Sequence, residues 1–209
     1  MKVFLDIETG PGDYEWRVEK MKRLIAPPAN YKSEEAIANW WEREGNLKLY
    51  GIRESFALSP LYGRILCIGW MAEDEVEPTV GTLQEFMTAI KKLCENSTPV
   101  TFVGHNIKRF DLPFLRFACI KEGISPYPIP QVTDRYGPWI IDTWEMTGGR
   151  DFGGNGLGDL ARLFDIQNRF PEKDVTAAHT LDPDLLQEYC KNDVGMVAEL
   201  YHRLTGSGS

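Results

Sequence analysis

The sequence predicts a single α/β domain in which a mixed, five-stranded sheet is flanked by helices, with a helical insertion between the first two strands. Three observations predict it. Residues 3–8, VFLDIE, alternate with the period of a strand, placing Val3, Leu5 and Ile7 on one face and Phe4, Asp6 and Glu8 on the other. Apolar residues recur at helical spacing in 82–96 (Leu83, Phe86, Met87, Ile90, Leu93) and again in the last thirty residues. Between these stretches lie short apolar runs bounded by turn formers, which is how buried strands read.

The elements follow in order. Thr9-Gly10-Pro11-Gly12 is expected to break the first strand. Residues 13–58 are polar and helical in composition, hold Pro27-Pro28 and Trp40-Trp41, and form the predicted insertion. Arg64–Ala72 reads as the second strand and Glu77–Val80 as a weaker third. Pro99–Gly104, PVTFVG, reads as a buried fourth strand, followed by a helix from about Asp111 to Glu122. Trp139–Asp142 is the fifth strand, Gly148–Gly158 a glycine-rich loop, and Leu157–Phe164 a helix. Asp182 is placed to cap the last helix, with Pro183 at its first position, where a missing N–H costs nothing. That helix runs to about Leu204. Such an order suits a ribonuclease-H-like arrangement, with helices on both faces of the sheet. Residues 1–205 would form the domain, and Gly206-Ser207-Gly208-Ser209 reads as a linker outside it.

At 209 residues, 43% hydrophobic and 26% charged, the composition is that of a globular domain, with no apolar run of bilayer-spanning length. Asp6 stands where an export leader would need an apolar core, so a cytoplasmic location is expected. Cys67, Cys94, Cys119 and Cys190 show no CxxC pairing and no neighbouring histidines, which argues for reduced thiols and against zinc. The net charge of −8 argues against a polyanionic partner only until acidic side chains collect cations, which reverse the local sign. Lys108, Arg109 and Arg116 are the basic residues expected to meet phosphates.

The carboxylates carry the chemistry. Asp6 and Glu8, two apart on a strand, project from one face about 7 Å apart. Asp193 falls in an apolar helical stripe of Leu186, Tyr189, Val197, Leu200 and Leu204, where a lone carboxylate is costly unless paired or metal-bound. Tyr189, four residues earlier, shares its face. Asp111 follows a buried strand end, a place where sites of open α/β sheets gather. Close carboxylates cannot all stay ionised without cations. Oxygen-only ligands select hard ions, and two Mg²⁺ or Mn²⁺ ions would suit the cleavage of a phosphodiester.

Phe4-Leu5-Asp6-Ile7-Glu8-Thr9, Asn106-x-x-x-Phe110-Asp111 and Tyr189-x-x-x-Asp193 resemble the three ordered motifs of the DEDD exonucleases. Glu188 stands where the histidine branch would carry its histidine, so the resemblance is to the tyrosine branch, and within it to stand-alone relatives of the proofreading domain of family B DNA polymerases. Ala57–Arg64 and Tyr189–Val194 extend the likeness, which spans residues 3 to about 204. It implies that Asp6, Glu8, Asp111 and Asp193 bind two divalent ions and that Tyr189 orients the attacking water. It further implies that Asn106 and Phe110 contact the 3′-terminal nucleotides and that Thr9 touches the terminal sugar or phosphate. The expected activity is release of nucleoside 5′-monophosphates from the 3′ end of DNA, single-stranded DNA foremost, with replication or repair proteins as partners in trans.

Open beside this are an exoribonuclease with the same chemistry, a non-catalytic nucleic-acid-binding module and a structure-specific endonuclease. His105 and Asp142 admit structural roles as well as functional ones. Trp40-Trp41 reads as core of the insertion before it reads as a stacking platform. Arg150 in the glycine-rich loop and Lys173 in Phe170–Asp174 are further candidates for phosphate contact.

Overall fold

A computed structural model describes residues 1–95, 99–131, 139–149, 155–170 and 178–207. The sheet has five strands: β1 (Lys2–Pro11), β2 (Gly63–Ala72), β3 (Thr79–Gly81), β4 (Thr101–Gly104) and β5 (Ile140–Asp142), in the spatial order β3-β2-β1-β4-β5. β2 runs antiparallel to β1 and to β3, while β4 and β5 run parallel to β1. The sheet is therefore mixed, with β1 at its centre.

Between β1 and β2 lie α1 (Glu15–Lys22), α2 (Glu34–Trp40), a π-helical turn over Trp41–Gly45, α3 (Asn46–Ser55) and a 3₁₀ turn over Phe56–Leu58. Trp40 is only 2% exposed, lies edge-on to Trp41 and donates its indole N–H to Glu44 at 3.0 Å. It is packed inside this helical segment and presents no stacking platform.

The remaining helices make the flanking layers. α4 (Leu83–Glu95) and α5 (Asp111–Lys121) cover one face, where Phe86, Met87, Ile90, Leu112 and Leu115 meet Val3, Leu5, Ile7, Ile68 and Phe102. On the other face α8 (Pro183–Thr205) lays Val194, Val197, Ala198 and Tyr201 over Phe4 and Val103. Leu160 and Ala161 of α7 (Leu157–Leu163) pack with Met196 and Leu200 of α8. The short α6 (Thr143–Met146) follows β5 directly. Asp182 caps α8 by accepting the Asp184 N–H at 3.0 Å, with Pro183 at the first helical position. Gly206, at φ +66°, closes the far end in the left-handed conformation that glycine tolerates, so the expected linker begins as the C-cap of α8.

One boundary differs from the sequence expectation. β1 does not break at Thr9 but continues to Pro11, paired with β2 as far as Gly63. The register shifts between Glu8, opposite Cys67, and Thr9, opposite Ile65, so Leu66 is the extra residue of a β-bulge. The bulge lets a Thr-Gly-Pro run stay in the ladder, and Pro11, with no N–H to offer, stands last. Turn-forming composition was overridden by a long antiparallel partner.

The approach of α8 to the sheet hinges on Gly69, the residue opposite Asp6. A Cβ there would lie 2.7 Å from a Val194 methyl carbon and 2.9 Å from the Cys190 sulfur. Gly69→Val is expected to lower stability by about 1–3 kcal/mol through overpacking. Chemical denaturation would measure the loss, and an unchanged midpoint would show that α8 can yield there.

Candidate active site

The acidic end of the sheet lies just beyond its apolar end. Phe4 on β1 is sealed by α8, and the same strand face then presents Asp6 and Glu8. Their cross-strand neighbours are small, Gly69 and Cys67, so α8 can bring Asp193 down beside them. One carboxylate oxygen from each of Asp6, Glu8 and Asp193 lies within 4.8 Å of the other two. Glu8 is 9% exposed, while Asp6 and Asp193 are partly exposed, so the cluster is walled on one side and open on the other. Asp193 thus sits in the apolar stripe where its cover ends: its neighbours Cys190, Val194 and Val197 are buried, and Leu186 and Tyr189 are only partly so.

Asp111 stands apart from this trio. It is 2% exposed at the first position of α5, and its Oδ1 accepts the Ile7 N–H at 3.1 Å. β4 pairs with β1 only as far as Phe4, which leaves the Ile7 N–H without a strand partner on that side. Asp111 supplies the missing acceptor, as buried backbone donors require. Its charge also reaches Asp6, where it is the strongest of the neighbouring carboxylates.

Burial pushes all four acids upward, and the charges of their neighbours add to it at Asp6 and Glu8. Glu8 rises to about 9, through burial and then the charges of Asp193, Cys67 and Asp111. Asp6 is raised well above the carboxylate range by burial and by Asp111, Asp193 and Glu8. Burial takes Asp111 to about 7 against the lowering effect of its backbone hydrogen bonds. Asp193 reaches only about 6, because hydrogen bonding from Asn192 and Tyr189 acts against the effect of burial. Tyr189 keeps its proton: burial, then the charges of Asp193, Glu8 and Asp6, drive its phenol upward. Its ring lies 5.6 Å from that of Phe170.

Beside the acids, the Cys190 thiol lies 3.9 Å from the Asp6 carbonyl oxygen, and its interaction with Cys67 lowers the Cys67 pKa and raises its own. All four cysteines are free thiols. Among the described residues the cluster offers carboxylate oxygens, gathered where ionisation is opposed. Hard divalent cations fit such a set, since they alone would let the acids ionise together.

The segment after β4 is organised by Asp142. This residue is 3% exposed and accepts the N–H groups of Asn106 (2.9 Å), Lys108 (3.2 Å) and Trp144 (3.0 Å). It both caps α6 and shapes the loop that leads to Asp111. Asn106 takes a positive φ of 59°, and its buried Oδ1 has no hydrogen-bond partner among the described residues. His105 is held by the Thr143 hydroxyl at 3.0 Å and the Asn155 carbonyl at 2.8 Å, and burial lowers its pKa. A structural role accounts for it.

Several predicted contact residues are already engaged. Thr9 is buried and its hydroxyl donates to the Ala57 carbonyl at 2.7 Å, tying the 3₁₀ turn to β1. Lys108 is paired with Glu145, and Arg109 lies over the Trp144 ring at 4.5 Å. Arg116 donates to the Ile129 carbonyl at 2.6 Å. Phe110 packs at 4.9 Å from Phe114 against the α4/α5 core while remaining partly exposed. Arg150 and Lys173 lie outside the described residues. Among known proteins, no family model, no curated protein and no solved structure matches this chain.

The raised carboxyls fix the sign of a pH effect. Between about pH 4 and 9 the folded protein binds more protons at Glu8, Asp111 and Asp193 than the unfolded chain does. Stability without added metal is therefore fully present below the ordinary carboxylate range and falls as pH rises toward 9. Asp193→Asn should raise Tm in EDTA at pH 8 to 9 and flatten this decline. An identical pH slope in the variant would show that the acids do not repel as described.

Proposed function

We propose that the protein is a divalent-metal-dependent 3′→5′ exonuclease of ribonuclease-H-like fold, most active on single-stranded DNA. The observation that carries this is the convergence of Asp6, Glu8 and Asp193 within 4.8 Å from elements almost two hundred residues apart, with Tyr189 one helical turn before Asp193 and interacting electrostatically with it. The sheet order, with β2 alone reversed against β1, supports the fold assignment. The direction of attack and the tyrosine-branch assignment rest on the resemblance of the three motifs to the DEDD exonucleases.

Asp6, Glu8 and Asp193 would hold the metal, and Asp111 would add charge beside Asp6 while it keeps β1 in place. Two Mg²⁺ or Mn²⁺ ions, when bound, supply an activated water and stabilise the leaving 3′ oxygen. Tyr189, protonated and one helical turn before Asp193, is suited to orient that water by hydrogen bonding rather than to take its proton. Phe110 offers a partly exposed ring to a terminal base. The Asn106 side-chain Oδ1, which has no hydrogen-bond partner among the described residues, is suited to accept from a substrate amine or hydroxyl. Lys108 and Arg109 could reach a phosphate only by leaving Glu145 and Trp144.

The test is digestion of end-labelled DNA and RNA of one sequence with Mg²⁺ or Mn²⁺. Stepwise loss of mononucleotides from the 3′ end of DNA is expected, abolished by EDTA. Asp193→Ala should cost on the order of a thousandfold or more in kcat, as lost metal stabilisation of several kcal/mol implies. Tyr189→Phe should be milder, on the order of a hundredfold. Undiminished activity in Asp193→Ala would overturn the proposal. Internal fragments of fixed length would make the protein an endonuclease, and RNA loss with intact DNA an exoribonuclease.

A further inference from the structure

The segment between β1 and β2 forms an arm whose charge differs from that of the rest of the chain. Residues 13–58 hold eight acids and eight bases, so the whole surplus of −8 lies outside them. Within the arm α1 and α3 run antiparallel. Arg53, near the end of α3, bonds both carboxylate oxygens of Glu15 at the start of α1 (2.7 and 2.9 Å). At the other end Lys22 lies 5.9 Å from the Trp41 ring, which precedes α3.

The near end of the arm is joined to the candidate site. Thr9, next to Glu8, donates to Ala57, and the Gly12 N–H donates to the Tyr62 carbonyl at 2.8 Å. Trp16, in the first turn of α1, lies 6.4 Å from Tyr62.

From there the outer face of α1 carries a single row. Trp16, Lys20 and Arg23 are spaced by four and three residues, so they lie above one another, roughly 5.4 Å per turn. All three are exposed, and Trp16 is 61% exposed although it is a residue that normally seeks burial. Neither Lys20 nor Arg23 forms an ion pair among the described residues, and Glu15, which could have neutralised the row from the first turn, is taken by Arg53. Glu19 stands on the adjoining row. An exposed aromatic at the end of the arm that joins β1, followed along the helix by two cations without ion pairs among the described residues, is the arrangement that single strands select.

We propose that this row is the track along which single-stranded nucleic acid is led to the site, Trp16 stacking on a base and Lys20 and Arg23 meeting phosphates upstream of the 3′ end. It presupposes the exonuclease function proposed above. A polyanion is repelled by the acid surplus elsewhere, so the arm is its path of least electrostatic cost.

Binding of labelled single strands, read by anisotropy in an Asp193→Asn background with EDTA, tests the track without any cleavage. Lys20→Glu/Arg23→Glu should weaken a long oligonucleotide more than tenfold and reduce the slope of log K against log salt by about 1.4, about 0.7 for each lost phosphate contact. Trp16→Ala should cost about tenfold with the slope unchanged. With the metal-loaded, otherwise unaltered chain, the ratio of kcat/KM for a long strand over a dinucleotide should fall in both variants. Unchanged binding of the long strand by both variants would overturn the track, as would row-dependent binding of phosphatidylserine vesicles with none of oligonucleotides. Failure of the unaltered protein to cleave any strand would overturn the exonuclease function instead, and the binding result would still decide the track.

Discussion

The seating of α8 against the sheet at Gly69 is the constraint on which the candidate site depends. Gly69 faces Asp6 across the β1–β2 ladder, and its missing side chain is the space that Cys190 and Val194 fill. A helix held one side-chain layer farther away would still bury Phe4, but it would lift Asp193 and Tyr189 from the strand acids. One strand face is thereby divided into two environments. Phe4 is closed over by Val194, Val197 and Tyr201, and two residues on, Asp6 meets the edge of the same helix where it opens to solvent. The apolar contact anchors the geometry, and the acids occupy the part of the face that the contact leaves uncovered.

A second constraint comes from the early parting of β4 and β1. Their pairing ends at Phe4 and Val103, while β1 continues for seven more residues. The exposed ladder edge needs acceptors, and Asp111 is carried to it by the start of α5. Asp142 does comparable work one strand farther out, collecting three N–H groups so that the chain can turn from β4 toward Asp111. Carboxylates are thus used as backbone acceptors wherever the parallel half of the sheet splays. This puts Asp111 next to Asp6 for a reason of backbone satisfaction, and its charge on Asp6 follows.

Local periodicity made part of this legible. The alternation of VFLDIE assigned Asp6 and Glu8 to one face, and the Asp182-Pro183 start of α8 is a short-range signal that tertiary packing had no reason to alter. What sequence could not show depends on partners remote in the chain. The survival of β1 through Thr9-Gly10-Pro11 required β2 and its bulge at Leu66. The Lys108–Glu145 pair, the Thr9–Ala57 bond and the Arg116–Ile129 bond each occupy a residue that looked available. Asp193 lies in the apolar stripe, one turn before Val197 and two before Leu200, both fully buried. It is partly exposed because the stripe loses its cover toward Tyr189 and Leu186 at the helix start, which periodicity along one helix does not show. The flat set of four acids likewise became a trio with Asp111 beside it.

The inequality within the trio orders what can happen there. Burial raises both acids, but the charges of Asp193, Cys67 and Asp111 raise Glu8 further, to about 9, while hydrogen bonding from Asn192 and Tyr189 holds Asp193 near 6. At neutral pH the cluster is then mostly ionised at its helix side and protonated at its strand side. A cation that binds here must displace protons from acids whose ionisation burial opposes, chiefly Asp6 and Glu8 on the strand. Binding and proton release are coupled by that geometry, and the coupling lies in the strand rather than in the helix. Tyr189 belongs to the same balance. Its interaction with Asp193 keeps one acid ready, and the neighbouring negative charges keep its own proton in place. The tyrosine and the aspartate four residues on therefore form a single electrostatic unit, positioned against Asp6 and Glu8 by the glycine that lets their helix come close.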